Sequence, residues 1–211
     1  MLAVSCVSQS SDDPLRGLEV GDRPTPEDRP DWVRVHLRAA ALNHHDLWSL
    51  KGVGLAADRL PMILGCDGAG VLDDGTEVVI HAVIGDPDAG GGDETLDPRR
   101  TLLSELHPGT LAEQVLVPAR NVVPKPTAMT WEESAAVPTA WLTAYRMLTT
   151  RSGLDGPGTV LVQGAGGGVA SAAIVLAKAL CHTVVCTSRD ADKRDRALAA
   201  GADLAVEPGT R

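Results

Sequence analysis

Thr159-Val160-Leu161-Val162-Gln163-Gly164-Ala165-Gly166-Gly167-Gly168-Val169-Ala170 is the stretch that decides the fold. It starts as a short apolar run of strand character, and a glycine turn follows at once. Ser171 to Leu180 is rich in strong helix formers, and His182-Thr183-Val184-Val185-Cys186 reads as a second strand. Beyond it the pattern predicts a helix over 191–200 and a short strand at 204–206. Strand, glycine turn, helix and strand in this order open a dinucleotide-binding βαβ unit.

A pyrophosphate needs backbone that approaches it without a Cβ in the way, and it needs the N–H groups of a helix start. Ala165-x-Gly167-x-x-Ala170 is a close variant of the Gly-x-Gly-x-x-Gly/Ala spacing, with further glycines at 166 and 168. The candidate cofactor contacts are therefore Ala165, Gly166, Gly167, Gly168, Val169 and Ala170. The end of the second strand separates one dinucleotide from another, because NAD sites place Asp or Glu there for the ribose hydroxyls. Here Ser188 holds that place, with Arg189 after it and Lys193 one turn into the next helix. A carboxylate would repel a 2′-phosphate, whereas a hydroxyl and two cations would hold it, so these residues point to NADP(H). The alternative is that Arg189 and Lys193 only solvate a helix start, beside Asp190 and Asp192.

The net charge of −9 argues against nucleic acid or an anionic membrane surface as partner. No apolar run is long enough to span a bilayer, and Met1–Ser11 lacks a basic start followed by an apolar core, which points to the cytoplasm. Cys6, Cys66, Cys181 and Cys186 form no Cys-x-x-Cys pair and read as buried thiols. With no Phe and one Tyr, the core must be built from Leu, Val, Ile and Ala.

Upstream, the chain to about Pro126 is rich in strands and loops. Residues 32–38 alternate apolar and charged side chains, as a half-buried strand does. Strands are also expected over 77–84 and 109–117, with a Gly/Asp/Pro loop over 86–97. Thr130-x-x-Glu133 is a capping box, so a helix is expected from Trp131 to about Arg151.

The chain resembles the medium-chain dehydrogenase/reductase superfamily, in particular its quinone oxidoreductase-like branch. The segments that carry the likeness are Asn43-His44-His45-Asp46-Leu47-Trp48-Ser49-Leu50-Lys51-Gly52, then Pro61–Val71, then 109–126 with 136–148, and finally Val160–Asp203. The resemblance implies an α/β protein with a β-rich GroES-like catalytic domain over 1–127 and the first half of a Rossmann domain over 128–211. It also implies an active site in the cleft between them, with Thr143 among the cofactor contacts.

Zinc members of the superfamily carry a Cys where this chain has Asn43, and a His-Glu pair where it has Cys66-Asp67. The last ligand position falls near Thr139. Two candidate donors do not make a tetrahedral site, and the loop 85–108 has no cysteine for a second zinc, so no zinc is expected. The chemistry left is hydride transfer to an activated acceptor, a quinone or an α,β-unsaturated carbonyl. The resemblance puts Asn43, His45, Asp46 and Trp48 at the catalytic site, with His45 as proton donor because its ordinary pKa lies near neutrality. His44 and His45 are equally readable as satisfied polar residues on a loop.

A complete dinucleotide fold has two mononucleotide halves, and this sequence supplies strands one, two and the start of three. The sequence thus reads as C-terminally truncated, with strand 159–163 left at a sheet edge. Full-length relatives are expected to be homo-oligomeric. Alternative readings are a catalytically inactive remnant or nucleotide-binding module, and a zinc alcohol dehydrogenase with altered ligands.

Overall fold

The computed structural model describes residues 1–209, in two compact units that divide after Thr139. Thr210 and Arg211, with which the expected second domain ends, lie outside the described residues. In the first unit the strands and helices are β1 (Leu2–Cys6), β2 (Leu18–Asp22), β3 (Trp32–Ala41), α1 (His44–Leu50), β4 (Met62–Ile63) and β5 (Asp67–Leu72). There follow β6 (Glu77–Ile80), β7 (Val83–Ile84), β8 (Thr101–Leu102), β9 (Gln114–Pro118), β10 (Val122–Pro124) and α2 (Trp131–Ala136).

The main sheet has the order β10-β6-β5-β3-β9, antiparallel throughout, and a smaller sheet runs β2-β1-β4. The strand read in 32–38 continues to Ala41, with a register shift between Leu37 and Ala39. Val35, Val78, Ile80, Val115 and Val117 fill the core beneath the sheet without an aromatic ring among them. Gly70 lets β5 lie close on β3, since a Cβ there would sit 2.2 Å from the His36 carbonyl oxygen.

Three expected elements are cut differently. The strand expected over 77–84 breaks at His81, where the Asn121 side-chain amide donates to the carbonyls of His81 and Val83. The strand expected from Gly109 begins at Gln114, because Gly109, Thr110 and Leu111 donate their N–H groups to Ile63, Gly65 and Leu64 instead. The single helix expected over 131–151 is two helices, α2 and α3 (Ala140–Thr149), interrupted at Pro138, which has no N–H to continue the ladder. Helix α2 packs on β3 and β5, so it belongs with the first unit rather than with the dinucleotide unit expected to begin at residue 128.

The second unit contains α3, β11 (Thr159–Gln163), α4 (Gly168–Ala179), β12 (Thr183–Thr187), α5 (Ala191–Ala199) and β13 (Leu204–Val206). Its strands form a parallel sheet in the order β11-β12-β13, the geometry of the first half of a doubly wound fold. Val162, Ile174, Ala177, Val184, Cys186 and Ala197 make its core. Strand β11 is an edge of that sheet, and Leu161 on it is 57% exposed.

Candidate active site

In the second unit the glycine turn joins β11 to α4 as the spacing predicts. Gly164 and Ala165 donate their N–H groups to the Thr187 carbonyl, which ties the turn to the end of β12. Gly166 has φ +106, a conformation open to glycine, and a Cβ there would meet the Lys193 stem at 2.8 Å. Lys193, distant in sequence, is therefore folded over the turn. Gly167 is the N-cap of α4 and no side chain caps that end. Space beside Gly167 is open, since a Cβ there would meet nothing within 4 Å. Gly168 opens the helix, Val169 and Ala170 are half-buried in its first turn, and Ala165 is buried beneath it.

At the end of β12 Arg189 is exposed, whereas Ser188 is 8% exposed. The Ser188 hydroxyl accepts from the Asp190 N–H at 3.2 Å, and its carbonyl accepts from Arg194 at 2.6 Å. Asp190 caps α5 by accepting from the Lys193 N–H, so the carboxylate beside the two cations is already engaged. Arg194 went unremarked in the sequence, and only the turn geometry shows that it holds the Ser188 backbone. Thr143 lies half-buried on α3.

In the first unit the residues at three of the four positions of the family's zinc pattern, Asn43, Asp67 and Thr139, come together. Asp67 is 1% exposed, and three donors surround its carboxylate. The Asn43 side-chain amide donates to one oxygen at 2.8 Å, and the Thr139 N–H and hydroxyl donate to the other at 2.9 and 2.6 Å. Burial pushes the Asp67 pKa up, against the pull of those hydrogen bonds. Cys66, next in the chain, is turned into the core, and burial pushes its thiol up to about 12. Among the described residues no group of three or more His, Cys, Asp or Glu side chains is arranged to hold a metal ion.

Asn43 stands just before α1. The Asp46 carboxylate accepts from the Asn43 N–H at 2.8 Å and from the Gly65 N–H at 3.1 Å, which fixes the helix start against the loop before β5. Burial raises the Asp46 pKa, and those two N–H donors oppose the shift. His44 points to solvent and His45 inward, so the adjacent rings diverge. The His45 Nε2 lies 2.9 Å from a Glu105 carboxylate oxygen, and its Nδ1 lies 3.3 Å from both the Cys66 thiol and the Ser104 hydroxyl. Glu105 and Ser104 were not among the expected residues, and no local pattern marks them. Trp48 is half-exposed on α1, with the Lys51 ammonium 5.6 Å from its ring centre.

A family model described as the alcohol dehydrogenase GroES-like domain matches residues 29–127. A crotonyl-CoA reductase from Streptomyces avermitilis is 30% identical across 95% of this chain and 52% of its own length. The crystal structure of an NAD-dependent alcohol dehydrogenase is 40% identical, with a TM-score of 0.89 over 100% of this chain and 64% of its own. The quinone oxidoreductase of Thermus thermophilus, solved also in complex with NADPH, is 28% identical, with a TM-score of 0.73 over 98% of this chain and 60% of its own. The chain spans about half the length of the curated relatives it matches.

Proposed function

The chain belongs to the medium-chain dehydrogenase/reductase superfamily of oxidoreductases, and from that premise we propose that it serves NADP(H)-dependent reduction of a quinone or enone without zinc. The observation that carries the proposal is the turn itself. An uncapped helix N-terminus opens at Gly167, Lys193 is folded over Gly166, and Arg189 is exposed at the end of β12. The fit to a dinucleotide is good, because the site offers backbone N–H groups free of Cβ obstruction and two cations, with Ser188 at the strand end and the nearby Asp190 carboxylate engaged as the cap of α5.

When bound, the nicotinamide supplies the hydride. In this reading Gly166 to Ala170 hold the pyrophosphate, Arg189 and Lys193 hold the 2′-phosphate, and Ser188 shapes the strand end through its bond to the Asp190 N–H. Ala165 and Thr143 complete the cofactor contacts. On the first unit, Asn43 and Trp48 face the acceptor, His45 holds the proton to be delivered, and Asp46 keeps the helix start in place through two backbone N–H groups.

The donor set does not fit zinc. Asp67 is consumed by Asn43 and Thr139, neither of them a thiolate or imidazole, and Cys66 is held as a buried thiol. A small carbonyl or quinone is the proposed partner, and the cytoplasm the proposed location. Among the described residues no helix is long and apolar enough to cross a membrane. NADPH oxidation by the purified chain against a panel of quinones and enones, with metal analysis of the same sample, tests the reading. Turnover at substoichiometric zinc is expected, and stoichiometric zinc that activity depends on would overturn it.

A further inference from the structure

Outside the residues assigned so far, one group of side chains is built around His45. Glu105 follows Ser104, which is fully buried and has φ +65, a left-handed conformation uncommon for serine. That backbone turn is held by the Ser104 N–H donating to the His107 carbonyl at 2.7 Å, and by the Glu105 N–H donating to the Leu102 carbonyl. It places the hydroxyl of one residue and the carboxylate of the next on the two ring nitrogens of one histidine. Gly54 leaves room for the pair, since a Cβ there would lie 2.9 Å from the Glu105 carboxylate oxygen and 3.8 Å from the His45 Nε2.

The chemistry of the partners settles the roles. An ionised carboxylate only accepts, so the proton between Glu105 and His45 sits on Nε2. The neutral ring then has Nδ1 as acceptor, and the Ser104 hydroxyl 3.3 Å away can donate to it. Cys66 stays a thiol, because burial pushes its pKa to about 12, and its S–H is directed to the Leu103 carbonyl at 3.4 Å. The opposite tautomer would leave Nε2 bare against the Glu105 carboxylate at 2.9 Å, two acceptors with no hydrogen between them.

We propose that Glu105 is the positioning residue of His45, fixing its tautomer and ring orientation so that Nε2 carries the proton, with Ser104 and Gly54 as the backbone elements that make the pair possible. The role this gives His45 in delivering a proton rests on the oxidoreductase reading above, whereas the tautomer itself does not.

Nitrogen-15 spectra of the histidine rings of the full chain test it, taken near pH 8 where an ordinary imidazole is neutral. His45 is assigned by comparison with His45→Gln. The wild type is expected to show the Nε2–H pattern, Glu105→Gln to keep it through its amide oxygen, and Glu105→Ala to lose it to a mixture. An Nδ1–H pattern in the wild type, or an unchanged pattern in Glu105→Ala, would overturn the proposal. The wild-type spectrum decides by itself if Glu105→Ala does not fold. Where the chain turns over NADPH, Glu105→Ala should lower kcat by about tenfold or more with the KM for NADPH unchanged. No turnover by any variant, with the tautomer as expected, would sink the oxidoreductase reading and leave the positioning intact.

Discussion

Replacing Asp67 by Ala removes the acceptor for three donors at once. The Thr139 hydroxyl can turn to another partner, but the Thr139 N–H and the Asn43 side-chain amide are left facing a gap at a position 1% exposed. Each stranded buried donor costs about 1–3 kcal/mol. Relief from burying a carboxylate offsets part of that loss, since charge burial costs on the order of several kcal/mol before pairing. A net destabilisation of about 2–4 kcal/mol follows for Asp67→Ala. Asp67→Asn keeps one oxygen for Thr139, and its new amide needs only a flip of Asn43 to find an acceptor, so its cost should be about 1 kcal/mol or less. Urea unfolding followed by tryptophan fluorescence and circular dichroism measures both, because Trp131 opens the helix that leads to Thr139. Equal losses in the two variants would refute the reasoning. They would mean that the negative charge itself is required, as it would be if Asp67 held a cation rather than two neutral side chains.

Three other outcomes are expected. Gly166→Ala should cost about 1–2 kcal/mol from its positive φ alone. The same change should also weaken NADPH binding by displacing Lys193, which an isothermal titration would read. Of the four thiols, Cys181 alone is exposed, so a thiol reagent should label one cysteine quickly in the native protein and the other three only on unfolding. Asp67 and Asp203 should give opposite pH dependences. Burial raises the folded pKa of Asp67, so its contribution is best below the unfolded value of about 3.9 and falls as pH rises through the raised one. Lys178 and the Val184 N–H lower that of Asp203, so its stabilisation is present above the unfolded value and is lost as pH falls through the lowered one. Stability curves of Asp67→Asn and Asp203→Asn against wild type, taken from acid to neutral pH, should therefore diverge in opposite directions.

How far the sequence could be read depended on the range of the interaction involved. From Thr159 onward each element follows from its own residues, because a parallel strand, a glycine turn and an apolar helix stripe are all local signals. The short strand at Leu204–Val206 was legible for that reason. The break at Pro138 is the exception, since that residue cannot donate in a helix but the helical pattern on either side reads as one helix over 131–151. By contrast, Asn121 interrupts a strand some forty residues away, and no pattern within 77–84 announces that. The same holds at the site. Asn43, His45 and Asp46 stand out as neighbouring polar residues, yet their partners Asp67, Glu105 and the Gly65 N–H reach them only through the fold of the sheet. Lys193 was visible as a charge near the second strand, while its place over Gly166 depends on the packing of α5 beside the turn.

The central claim is that the glycine turn with Arg189 and Lys193 selects NADP(H). Titration of the full chain with NADPH and with NADH, in the wild type and in Arg189→Ala with Lys193→Ala, tests it most directly. NADPH should bind at least about tenfold more tightly than NADH, each lost cation–phosphate contact being worth about 1.5–3 kcal/mol, and the double variant should bind the two alike. Equal or tighter binding of NADH by the wild type, or a double variant that still prefers NADPH, would contradict the account.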